Sequence, residues 1–228
     1  RNSFITGGPI DAPLGNINAA AGAFTLNMDA AYAVLGGEAS VDIGEDAVLT
    51  AKASEIAATE DTPEKKSINI TADSRVKAAA GSSTTAIKVM NFKHSGNIPS
   101  VAAAYANTEN KANVRIAGTI KAAGDTNISA NADTHLEAVS TDNTTYLGGN
   151  VNDNTRVNSA ITIANGKNTS TVEIADTAKM TEISGDLDIS AVGTNSIDTE
   201  ALVKGKEAAA AATAVNVTNY ESSADVKV

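Results

Sequence analysis

The stretch Asn113–Ala130 (NVRIAGTIKAAGDTNISA) constrains this chain most, because the sequence writes it more than once. Its opening, Val114-Arg115-Ile116, returns as Val172-Glu173-Ile174, is anticipated by Val41-Asp42-Ile43 and closes the chain as Val226-Lys227-Val228. Its ending, Ile128-Ser129-Ala130, returns as Ile189-Ser190-Ala191 and is anticipated by Ile70-Thr71-Ala72. The first anchor recurs at intervals of 73, 58 and 54 residues and the second at 58 and 61. A strand-like unit copied at such a period cannot bury its apolar side alone and does so by stacking on its neighbours, which predicts a solenoid.

Within each repeat the reading is all-β. An Ala-rich strand (Ala31–Leu35, Val101–Ala106, Ala160–Ala164, Ala212–Val217) is followed by a polar turn (Asn107–Lys111, Asn165–Thr169, Asn219–Ser222) and then by the Val-x-Ile strand. A second strand ends at the Ile-Ser/Thr-Ala signature, and a third lies near Val76–Ala78, Leu136–Val139 or Ile197–Leu202. Each repeat of 54–73 residues therefore reads as three coils of roughly twenty residues. Residues 1–30 form a lead-in segment, or a first coil, in which Phe24, Leu26 and Met28 begin to alternate; residues 31–228 form the solenoid, with Gly36-Gly37 turning the chain into its first full unit. Helix propensity favours a helix over Lys204–Ala214 (KGKEAAAAATA), but the alternation that follows, Val215-Asn216-Val217, favours a strand.

The residue between the paired apolar anchors is Asp42, Arg115, Glu173 and Lys227 in turn. Free change of charge between two constant apolar positions marks an outward site flanked by inward ones. Three insertions, residues 60–66, 91–99 and 141–154, interrupt the pattern and are candidate projecting loops.

Composition agrees with a narrow interior. Only 3% of the residues are aromatic and there is no Trp, so small and β-branched side chains must fill the core. A formal charge of −10 without a basic cluster argues against nucleic acid and anionic membrane surfaces as partners. The absence of Cys removes disulfides, thiol nucleophiles and thiolate zinc sites, and no apolar run is long enough to insert in a membrane as a helix. The chain closes at Val228 inside a repeat and reads as part of something longer.

The sequence contains no nucleophile elbow, dinucleotide fingerprint, phosphate loop or paired-His zinc motif. His94 and His135 each stand without a second His nearby. Asp186 and Asp188, two apart, would share one side of a strand and could ligate calcium or cleave a polysaccharide. The matching position after Asp125 is Asn127, however, and Gly185-Asp186 and Gly124-Asp125 read as turns. No residue is assigned a catalytic, cofactor or metal role, and no cofactor is expected. Asn and Thr at equivalent points of successive coils, as in Asn69-Ile70-Thr71 and Asn127-Ile128-Ser129, are expected to form hydrogen-bonded ladders.

Blocks such as Ala212–Val228 (ATAVNVTNYESSADVKV) and Ser159–Ile174 (SAITIANGKNTSTVEI) resemble the repeat regions of bacterial filamentous adhesins, the leukotoxin-type and haemagglutinin-like exoproteins. The resemblance extends from about Ala30 onward. It implies a right-handed parallel β-helix, extracellular or on the bacterial surface after type V or two-partner secretion, serving in attachment or filament formation. It also implies partners of two kinds: further coils or copies end to end, and cell surfaces or glycans. At ~4.8 Å per coil, the expected coils would make a rod on the order of 50 Å long. A carbohydrate-active β-helix enzyme and a self-assembling matrix or sheath protein are the alternative readings.

Overall fold

The computed structural model describes residues 19–21, 24–52, 66–84, 87–89, 98–147, 156–204 and 211–228, all of which are strand or connection. In chain order the strands are β1 (Ala19–Ala21), β2 (Phe24–Ile43), β3 (Val48–Ala51), β4 (Ile68–Thr84), β5 (Ile87–Val89), β6 (Ile98–Ile116) and β7 (Thr119–Ala122). They continue as β8 (Thr126–Asp142), β9 (Thr145–Leu147), β10 (Arg156–Ile174), β11 (Lys179–Ile183), β12 (Leu187–Val203) and β13 (Ala211–Lys227). Two long sheets, β2-β6-β10-β13 and β4-β8-β12, pack against each other, and the short sheet β3-β7-β11 joins them at one end. Strands β5 and β9 pair on the connection from the second long sheet back to the first. Every pairing is parallel except β1 with β2. This is a parallel β-solenoid.

The register corrects the expected coil count. Val41 pairs with Val114, Val114 with Val172, and Val172 with Val226, so successive copies of the anchor are direct neighbours in one sheet. Likewise Ile70, Ile128 and Ile189 stack in one line. Each repeat is thus one coil, built from a long strand, a short strand and a second long strand. Three such coils plus β13 rise only on the order of 20 Å, while a 17-residue strand is ~55 Å long, so the unit is wider than it is tall.

The miscount comes from the polar segments. Asn107–Lys111, Asn165–Thr169 and Asn219–Ser222 are not turns but the middles of β6, β10 and β13. Gly36-Gly37 likewise lies inside β2, and the second and third strands of each repeat are one strand, as in β8. Asn is tolerated there because the inward-facing side chain donates across the interior to the other long sheet. The Asn110 side-chain amide donates to the carbonyls of Ser74 (3.2 Å) and Asp133 (2.9 Å), and its Oδ1 accepts from Ser74 Oγ at 2.5 Å. One coil on, Asn168 reaches the carbonyls of Ala132 (3.0 Å) and Thr194 (3.1 Å). Each Asn therefore stitches one long sheet to two strands of the other, through a buried amide nitrogen that finds carbonyl partners on both.

This polar band divides the core. On one side Ile70, Val114, Ile116, Ile120, Ile128 and Val172 form an aliphatic cluster. On the other, Leu136 lies among alanines of β2, β4, β6, β8 and β10. Alternation in β8, buried at every even residue from Thr126 to Asp142, is what a sheet with one covered face requires. Over Lys204–Ala214, Ala211–Ala214 belong to β13 as expected, and residues 205–210 lie outside the described residues.

Where β6 gives way to β7 the coils approach closely. A Cβ on Gly118 would come within 2.5 Å of the carbonyl oxygens of Gly44 and Ala47 in the coil below. Those atoms are backbone, and the Ala47 oxygen already accepts from Thr119 N at 2.8 Å, so they cannot swing aside. Gly118→Ala is expected to destabilise the fold by about 2 kcal/mol, seen as a lower denaturation midpoint. An unchanged midpoint would show that this corner opens at little cost.

Candidate interaction surface

A strand with one buried face presents every second residue outward, and parallel in-register stacking lines those residues up from coil to coil. On the outer face of β4-β8-β12 the lines that begin where β4 meets β8 are polar. Asn127 Nδ2 donates to Asn69 Oδ1 at 2.8 Å, Ser129 Oγ to Thr71 Oγ1 at 3.1 Å, and Asn131 Nδ2 to Asp73 Oδ1 at 2.7 Å. These are the ladders that the sequence predicts.

The outer face of β2-β6-β10-β13 is different at its two ends. Toward the strand C-termini it carries charge that alternates in sign from coil to coil: Asp42, Arg115, Glu173 and Lys227 stand in one line. Arg115 lies 3.4 Å from Asp42 and 3.6 Å from Glu173 and so ties three coils together. Lys167 reaches Glu221 at 3.3 Å in a second line. These pairs are exposed, and each is worth a fraction of a kcal/mol at most.

Toward the middle of the strands the same face is apolar. Tyr32, Tyr105, Ile163 and Val217 form one line, and Ala30, Ala103, Ile161 and Val215 the next. Tyr32 is 48% exposed, Val217 46% and Val215 39%, which is high for a contiguous apolar stripe on a sheet. The Tyr105 hydroxyl lies along the face and accepts from Asn165 Nδ2 at 3.4 Å.

Within this face Lys111 and Glu109 sit on one strand, two residues apart and 2.6 Å from nitrogen to oxygen. The hydrogen bond that Lys111 donates, with its charge, holds the Glu109 carboxyl below its usual range, and the same contact raises Lys111. For a depressed carboxylate the associated stabilisation is present above the ordinary carboxylate pKa and is lost as pH falls through the lower folded value. Replacing Lys111 by Gln is expected to move the Glu109 titration upward, read as the shift of its carboxyl resonance with pH; an unmoved titration would mean the pair does not persist in solution.

Asp186 precedes β12 in the corner, where its backbone N–H donates to Asp125 Oδ1 at 3.0 Å, whereas Asp188 lies within β12, stacked on Asn127. Gly185 lies against Asp125 with no room for a side chain, which agrees with the turn reading. His135 is a surface residue on β8, 4.0 Å from Glu137. His94 and most of the three insertions lie outside the described residues. Of the third insertion, Asp142 and Thr144 are buried: Asp142 accepts from Ser100 Oγ (3.2 Å) and from the backbone N–H groups of Thr144 and Ser159. That half of the insertion is part of the core. Among the described residues no group of three or more His, Asp or Glu stands ready to hold a metal ion.

The structure thus defines the class, a parallel β-solenoid with laddered outer faces. No family model, curated protein or solved structure matches this chain. The Val-x-Ile spacing supplied the charged line; the tyrosine line repeats at the same intervals, but its place on the anchor's own strand came only with the register, because the polar segment between them reads as a turn.

Proposed function

We propose that this chain is a structural segment of an extracellular bacterial surface fibre of the filamentous adhesin kind, serving in attachment. The observation that carries the reading is the register itself. Four successive copies of one anchor stack directly, with their outward residues laddered or paired by charge. Such a unit extends indefinitely by adding coils, and each coil presents the same faces to the outside. Side chains spent on holding neighbouring coils together suit a protein whose task is to span distance and offer surface.

The test is retention. Beads coated with the chain are expected to bind host cells or a glycan array above beads coated with the denatured chain. Equal retention of native and denatured coatings on every surface, together with unchanged attachment of bacteria that lack the segment, would overturn the attachment reading.

A further inference from the structure

We propose that the outer face of β2-β6-β10-β13 is a self-association surface that takes a second copy of this chain, related by a two-fold axis running along the strands. This inference does not rest on the attachment reading. Such an axis keeps strand direction and reverses the order of the coils. Coil one of each copy then faces coil four of the other, and coil two faces coil three.

The charges fit this arrangement. Because sign alternates along the line Asp42, Arg115, Glu173, Lys227, reversing the order sets Asp42 against Lys227 of the second copy and Arg115 against its Glu173. In the second line Glu109 meets Lys167. The remaining charged residues of the face, Glu38, Lys111, Glu221 and Asp225, meet Ser223, Thr169, Gly36 and Ser40, so no like charges oppose. A two-fold axis running across the strands would instead reverse their direction and set the charged lines of one copy against the apolar lines of the other.

The apolar stripe fits as well. Tyr32 and Tyr105 face Val217 and Ile163, and the small Ala30 and Ala103 face the larger Val215 and Ile161. Small against large is how two packed sheets interdigitate. Four strands at ~4.8 Å and about fourteen residues at ~3.3 Å give a face of roughly 800–900 Å², the size of a stable interface on one partner.

The experiment is analytical ultracentrifugation of the purified chain from about 1 to 100 µM, with circular dichroism confirming the strand content of every variant. Wild type is expected to reach twice the monomer mass. Ile163→Lys, at an outward position, is expected to weaken association about thirtyfold or more. Glu109→Lys and Lys167→Glu are each expected to weaken their own homodimer, because like charges then face. An equimolar mixture of the two is expected to recover it, since every facing pair is again of opposite sign. A wild-type chain that stays monomeric, an assembly indifferent to Ile163→Lys, or a mixture that fails to recover would each overturn the proposal.

Discussion

Leu136→Ala is expected to cost about 4 kcal/mol and to lower the melting temperature by about 10 °C. Leu136 is fully buried, and the cluster around it consists of Ala33, Ala78, Ala80, Ala104, Ala106, Ala138 and Ala164. None of those alanine side chains can extend into the space that leucine leaves, and the one larger side chain packed against the cluster, Leu35, is only partly buried and lies on β2 in the neighbouring coil. The strands cannot close over it either, because β8 is held in parallel register by β4 on one side and β12 on the other. The cavity therefore persists, which places the cost at the upper end for this substitution. Its counterpart one coil on, Ile197, is 37% exposed, so Ile197→Ala is expected to cost only about a third as much. Equal effects at the two positions would contradict the gradient from inner to outer coil; chemical denaturation of both variants decides it.

Asn168→Ala is expected to cost about 3 kcal/mol, a loss of the size seen when a buried polar network is broken. Three acceptors lie within reach of the Asn168 amide nitrogen: the carbonyls of Ala132 and Thr194, and Asn195 Oδ1 at 2.7 Å. Its neighbour Ser170 does related work, accepting from Ala132 N at 3.1 Å and donating to the Val192 carbonyl at 2.7 Å. Removing the amide takes a donor from backbone oxygens on two strands of the facing sheet. Hydrogen exchange checks the position as well as the size of the effect: protection is expected to fall in β8, β10 and β12 before it falls in β4. A loss confined to β10 would mean that Asn168 fills space without joining the sheets.

The two predictions rest on parts of the interior that the sequence showed unequally. Alternation around Ile128, Ala130 and Leu136 is plain in one strand, because a sheet covered on one face imposes a period of two. The role of Asn168 is hidden, because Asn in a local window signals a turn whether or not a partner strand waits across the core. That is why the segments around Asn110 and Asn168 read as turns and why one coil read as three. The outward lines divide in the same way. Asp42, Arg115, Glu173 and Lys227 announce themselves between constant apolar anchors, whereas Tyr32 and Ile163 share no local context and meet only through the ladder.

By itself, then, the sequence determined that the chain is all-β, that its repeats stack and which residues of each anchor point in or out. All three follow from local periodicity and from the recurrence of one motif. Only the tertiary structure decided how many residues make a coil, because that is a matter of which copies hydrogen-bond to each other. It also decided that the polar segments cross the core as stitches, and that charge and apolar surface share one broad face. Those outcomes depend on distances between residues about sixty positions apart, and the physical reason is that a parallel sheet takes its neighbours from the next coil rather than from the next turn.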